Sequence, residues 1–292
     1  VSKATPFFSV VIPTCRRPET LAHCLERLAP GAQTLSADRY EILVTDDAGT
    51  GPDSVEALVH RSFPNVSWAA GPGRGPAANR NAGAARARGE WLVFTDDDCL
   101  PSAGWLEAFA EAIASGGETR HVYEGRTTCE AGLRSALDHA PVNLTGGVLW
   151  SCNVCIRRSV FTTLGGFDED YPLAHMEDIN LRERLVRADY PYFFVEEATI
   201  DHPPKRFHWR TAFGPYAESE VLHWYKQGNP GPYTTQLLLR ICRYRLAWMG
   251  EAARRSPGSL LSVVAISVRE LAYVLPRLRG WDRKYRALYG QS

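Results

Sequence analysis

Thr95-Asp96-Asp97-Asp98-Cys99 follows directly on the apolar run Trp91-Leu92-Val93-Phe94. Three adjacent carboxylates at the end of a buried strand repel one another and lose hydration, a cost that an arriving cation relieves. Side chains alternate along a strand, so Asp96 and Asp98 can share a face while Asp97 points elsewhere. That pair suits Mg2+ or Mn2+, hard ions that take oxygen ligands and often accompany phosphates. The competing reading is a solvated acidic loop, and the strand in front of the triplet weighs against it. Glu177-Asp178 is a second acidic pair, placed where a helix should begin. A carboxylate there is favoured by the helix dipole, so taken alone Asp178 reads as an N-terminal cap.

The elements that would hold these residues alternate regularly. Short β-rich runs at 7–12, 40–45, 66–70 and 91–94 are separated by helical patterns at 18–28, 53–63 and 76–88. Such alternation predicts a mainly parallel sheet covered by helices on both faces, with ligands at the carboxyl ends of the strands. Three polar clusters fall at those ends: Thr14-Cys15-Arg16, Asp46-Asp47 and Asp96-Asp97-Asp98. After a helix at 105–115 the pattern loosens, with strands expected at 121–126 and 147–156, a short helix at 159–164, a turn at 165–168 and a helix at 179–188.

At 292 residues, 45% hydrophobic and 23% charged, the chain has the composition of a soluble globular protein with one sizeable domain and an appendage. Seven scattered cysteines and no opening secretory pattern lead to the expectation of a reducing, cytoplasmic setting. Cys152 and Cys155 form a C-x-x-C, but without a second pair they do not read as a zinc site. The formal charge of zero hides a division, for residues 1–202 carry 18 basic against 28 acidic side chains and residues 203–292 carry 15 against 5. Beyond His202-Pro203-Pro204, helices are expected at 209–226, 234–254 and 259–275. Leu260, Val264, Val268, Leu271 and Leu275 make an apolar stripe in the last, while Arg269-Glu270 argues against a membrane span. Arg277, Arg279, Trp281, Arg283, Lys284, Tyr285 and Arg286 then interleave basic and aromatic groups. An anionic membrane surface ranks first as their partner, a solvated face or packing within the chain second and nucleic acid last.

Phe8-Ser9-Val10-Val11-Ile12-Pro13-Thr14, Glu41-Ile42-Leu43-Val44-Thr45-Asp46-Asp47, Ala78-Asn79-Arg80-Asn81-Ala82-Gly83 and the stretch from Gly89 to Asp98 are joined by Cys152 to Arg158, Gly165-Gly166-Phe167-Asp168-Glu169 and Glu177 to Leu181. In this order, over about residues 7–202, they resemble an inverting glycosyltransferase of family 2 with the GT-A nucleotide-sugar-binding fold, an α/β architecture, here followed by a basic helical extension at 204–292. The resemblance implies that Pro13, Thr14 and Arg16 line a nucleotide pocket. It implies that Asp46 or Asp47 accepts from a base imide, which favours uracil, and that Arg80 lies near the base or diphosphate. Asp96 and Asp98 fall on the D-x-D motif, with Asp97 beside the nucleotide and His202 completing a site for Mn2+ or Mg2+. Asp178 matches the general base, with Glu177 as its alternative, and Asn153 and Asp168 match positions lining the sugar or acceptor pocket. Ala48-Gly49 after Asp46-Asp47 departs from the usual Asp-Asp-x-Ser.

The implied reaction is transfer of a single sugar, from a UDP-sugar by preference, to a carbohydrate or lipid-linked acceptor in glycoconjugate or polysaccharide biosynthesis. The enzyme would sit in the cytoplasm, peripheral to the inner face of the membrane. No Q-x-x-R-W motif or set of transmembrane helices is present, which favours single transfer over polymerisation. A sugar-phosphate nucleotidyltransferase would instead carry a glycine-rich loop with a basic residue after the first strand. A catalytically inactive sugar- or nucleotide-binding module is the other alternative.

Overall fold

The computed structural model describes residues 5–48, 51, 54–171 and 173–290. Gly49, and Asp53 at the expected start of the second helix, lie outside the described residues. The chain divides into two compact units: 1–130 with 141–203, and 131–140 with 204–292. The segment 131–140 therefore leaves the body in which a single cut near 203 would have kept it.

In the first unit β1 (Phe8–Thr14), β2 (Tyr40–Asp46), β3 (Val66–Ala70) and β4 (Trp91–Thr95) run parallel in the order β3-β2-β1-β4. The sheet continues through β8 (Asn153–Arg157), β6 (Val122–Thr128), β9 (Tyr192–Asp201) and the two-residue β5 (Leu100–Pro101). There β8 is antiparallel to both β4 and β6, and β6 and β9 are parallel, so the sheet is mixed.

Alternation along the strands builds two cores. Phe8, Val10 and Ile12 of β1, with Ile42, Val44 and Val93, pack under α1 (Pro18–Leu28), α2 (Val55–Ser62) and α4 (Trp105–Gly116). Val11, Leu43, Leu92 and Phe94 face the other way, toward α3 (Pro76–Ala85), α5 (Arg158–Thr163) and α6 (Glu177–Arg187). Both faces are covered, which is why these strands read as unbroken apolar runs. Helix α1 buries Leu21, Cys24, Leu25 and Leu28, one stripe at helical spacing. Ser54 caps α2, its Oγ accepting from the Ala57 N–H. Helix α3 approaches β1 at Gly83, where a Cβ would stand 2.6 Å from a Val11 methyl.

The strand expected over 147–156 starts only at Asn153. The reason is Glu124 on β6, whose buried carboxylate accepts the N–H groups of Gly147, Val148 and Leu149 and the Asn143 amide. That capture holds the segment as a loop with positive φ at Gly146, Gly147 and Leu149.

In the second unit Asp138–His139 (β7) pairs antiparallel with Lys205–Arg206 (β10). Three helices follow: α7 (Gly214–Lys226), α8 (Thr234–Arg255) and α9 (Leu260–Tyr289). Their core gathers Ala136, Leu137, Ala252, Val263 and Ile266 with Phe207, Phe213 and Trp248. Helix α9 runs through Pro276 and past the expected end at 275. With the turn before it, α9 is long and apolar enough by composition to cross a membrane, and 33% of its apolar window is buried within the chain.

Candidate active site

Parallel pairing aligns the carboxyl ends of β1, β2 and β4, with Thr14 opposite Asp46, and so brings the three polar clusters to one edge of the sheet. Asn79 of α3 fastens that edge, its Nδ2 donating to the Thr14 and Thr45 carbonyls at 3.1 and 2.9 Å.

The acidic triplet splits three ways. Asp96 meets Arg80 Nη2 at 2.8 Å. Asp97 turns inward, accepting from Thr14 Oγ1 at 2.6 Å and Arg17 Nη1 at 2.9 Å. Asp98 meets the same Arg17 nitrogen at 2.9 Å and His202 Nε2 at 3.3 Å. Burial, outweighing Arg17, pushes Asp97 up to about 6. Asp97 and the Thr14 hydroxyl thus brace the strand end. Pro13 is buried beside them, whereas Arg16 is exposed in a left-handed conformation.

Asp98 and His202 fit a hard divalent ion. The ring tautomer with Nδ1–H donated to the Pro203 carbonyl, 3.1 Å away, leaves Nε2 to meet the Asp98 carboxylate with a lone pair. Two acceptors at that distance need a proton or a cation between them. Cys99 also brings its sulfur within 4.8 Å of their ligand atoms, but burial holds its thiol well above the ordinary range. A protonated thiol is a poor ligand for Mg2+ or Mn2+, which leaves carboxylate and imidazole as the donors.

Arg80 lies deeper than expected. Only 2% exposed, it gives Nη2 to Asp96 and Nη1 to Glu177 at 3.1 Å, so it bears on the site through those two carboxylates. Glu177 is likewise buried, and burial outweighs Arg80 to raise it to about 7. As the inner member of its pair it is a partner for Arg80 and the less accessible of the two carboxylates. Asp178, at the first turn of α6, is partly open, accepts its own helix's Ile179 N–H at 2.8 Å, and is raised by burial. Met176 is the N-cap residue, so Asp178 satisfies one N–H inside the first turn, and it is the more accessible carboxylate of the pair.

Asn153 holds three hydrogen bonds within the fold. Its Oδ1 accepts from the Trp105 indole at 2.9 Å, and its Nδ2 donates to the Arg126 and Ala198 carbonyls. Asp168 accepts from the Asp170 N–H, closing the turn after Gly165-Gly166. Asp46 is buried with Oδ1 on the Ala48 N–H, while Asp47 spans to the loop before α3, accepting from the Gly73 and Gly75 N–H groups at 2.9 and 3.1 Å.

Sequence reasoning missed Arg17, which bridges Asp97 and Asp98, and Asn81, which holds the Phe167 backbone and Glu169. Asn81 sits in a motif already quoted, but nothing in the sequence distinguished Arg17 from Arg16.

Residues 9–136 match the family model described as glycosyl transferase family 2. The chain is 25% identical over 217 residues to glycosyltransferase AglE of Haloferax volcanii, covering 71% of this chain and 70% of that one. It is 27% identical over 243 residues to validoxylamine A glucosyltransferase of Streptomyces hygroscopicus subsp. jinggangensis, covering 70% of this chain and only 57% of that relative. Among solved structures, the mannosyltransferase PcManGT from Pyrobaculum calidifontis in complex with GDP-Man and Mn2+ aligns at TM-score 0.51 and 17% identity, covering 98% of this chain and 76% of that one. TarS 1–349 of S. aureus in complex with UDP aligns at TM-score 0.53 and 17% identity, covering 97% and 90%. Residues 9–136 thus carry a glycosyl transferase family 2 domain, and the mixed sheet with its covering helices is that of the GT-A fold.

Proposed function

We propose that this glycosyltransferase is metal-dependent and inverting, moving one sugar from a UDP-sugar to the hydroxyl of a carbohydrate or lipid-linked acceptor. The observation that carries the reading is the buried Arg80 guanidinium. It ties Asp96, in the strand-end triplet that also holds Asp98, to Glu177, next to the partly open Asp178. One cluster thereby offers a donor end and a base end.

Asp98, His202 and Asp96 would hold Mn2+ or Mg2+, which supplies Lewis-acid stabilisation of charge on a departing diphosphate. Asp47 or Asp46 accepts from the uracil imide, and the exposed Arg16 offers a cation to the diphosphate. Asp178 takes the proton of the acceptor hydroxyl as it attacks the anomeric carbon. Its raised affinity for a proton suits that task, because a general base works best near the operating pH. A single displacement inverts the centre, so an α-linked donor yields a β-linked product. The basic second unit either contacts the acceptor or holds the enzyme at the inner face of a membrane.

The test is product analysis with a panel of UDP-sugars and simple acceptors in Mn2+. A β-linked product that disappears in Asp178→Asn supports the reading. An α-linked product, or full turnover by that variant, contradicts it.

A further inference from the structure

Helix α9 has two faces of different character. Val263, Ile266, Glu270, Val274, Leu278, Trp281 and Tyr285 are buried, one stripe turned into the second unit. On the opposite face Leu261, Val264, Val268, Ala272 and Leu275 are exposed, Leu261 at 84%, and the same face then continues as Arg279 and Arg283. An apolar strip of about four turns that ends in exposed arginines is more than scattered surface hydrophobics explain.

The charges around it are one-sided. Every acidic residue of 204–292 already has a cationic partner: Glu218 with Lys284, Glu220 with Arg240, Glu251 with Arg255, Glu270 with Arg245 and Asp282 with Arg286. Arg243, Arg254, Arg269, Arg277, Arg279 and Arg283 pair with no carboxylate among the described residues, and all six are exposed. The net positive charge of this unit is therefore displayed on its surface, where it complements an anionic partner.

We infer that the outer face of α9 docks in the plane of an anionic lipid bilayer, with Leu261, Val264, Val268 and Leu275 entering the headgroup boundary and Arg279 and Arg283 meeting lipid phosphates. The helix lies on the membrane instead of crossing it. Its inner face carries Glu270, ion-paired with Arg245 and packed among buried residues, and a crossing would expose that pair to hydrocarbon. This names the surface behind the membrane option of the preceding reading, and it is measured without turnover, so either can fail alone.

The experiment is co-sedimentation of the full chain with vesicles of phosphatidylcholine alone and of phosphatidylcholine mixed with phosphatidylglycerol. Binding is expected to the mixed vesicles only, reversed by high salt. It should weaken roughly tenfold or more in the exposed-face variants Val268→Glu/Leu275→Glu and Arg279→Glu/Arg283→Glu, whose circular dichroism stays that of the parent. Absence of binding, equal binding to both vesicles, or binding untouched by all four substitutions would overturn the inference. So would a dimer in light scattering that Val268→Glu dissociates, or protein that salt and alkaline washing leave in the pellet.

Discussion

Asp178 and Glu177 are neighbours in sequence with opposite fates, one partly open at the helix start and one buried against Arg80. Asp178→Asn should therefore lower kcat by about 10²–10⁴ with UDP affinity unchanged, read by steady-state kinetics beside calorimetry. Asp98→Ala should instead weaken UDP binding in Mn2+ and leave the metal-free titration as it was. Asp97 and Glu177 give a stability prediction. The folded chain keeps their protons up to about 6 and about 7, whereas the unfolded chain releases them near the ordinary carboxylate values of about 4. The folded state binds more protons in that window, so their stabilising contribution is complete below about pH 4 and is lost as pH rises through 6 and 7. Thermal midpoints measured from pH 8 down to pH 6 should rise, and Asp97→Asn should flatten the slope. At this scale the sequence showed which side chains gather but not which are consumed by structure. Asp97, Asn153 and Arg80 have residue types fit for ligands, and only burial and partner geometry reveal that Asp97 and Asn153 hold contacts within the fold and that both terminal nitrogens of Arg80 are taken by carboxylates.

The A-N-R-N stretch of α3 shows how an element positions a site. Asn79 fastens two strand ends, Arg80 joins the triplet to α6, and Asn81 holds the Phe167 loop, so three adjacent residues serve three directions. Such clamps are costly to remove, and Asn79→Ala should cost about 1–3 kcal/mol by leaving the Thr14 and Thr45 carbonyls short of donors. At Gly125 a Cβ would stand 2.3 Å from the Ala198 carbonyl and 2.4 Å from Asn153 Nδ2, so Gly125→Ala should destabilise by about 1–3 kcal/mol, seen as a lower urea midpoint at unchanged slope. The first four strands and their helices were legible because burial on both faces writes apolar runs and helical stripes into the sequence. The ten-residue β9 was not legible, since Glu196-Glu197 interrupts its pattern where its pairing with β6 shifts register. The late start of β8 was hidden as well, because it depends on Glu124, some 30 residues away in the chain.

Over the whole molecule the charge division follows the two compact units, the acidic one carrying the strand-end site and the basic one the helices. The fold class and the family 2 domain matched at 9–136 were readable from motif order across 7–202, because those motifs are strand ends and helix starts whose spacing the sheet dictates. The role of 204–292 was not, since an amphipathic basic helix meets lipid, protein or solvent with the same pattern, and only the structure shows which face remains open. The most direct test of the account is calorimetric titration of the full chain with UDP, GDP and dTDP, each in Mn2+ and in EDTA. The account predicts binding of UDP in Mn2+, lost in EDTA and in Asp98→Ala, with GDP and dTDP weaker. Nucleotide binding that persists in EDTA with Asp98 replaced, or no binding of any nucleotide in Mn2+, would contradict it.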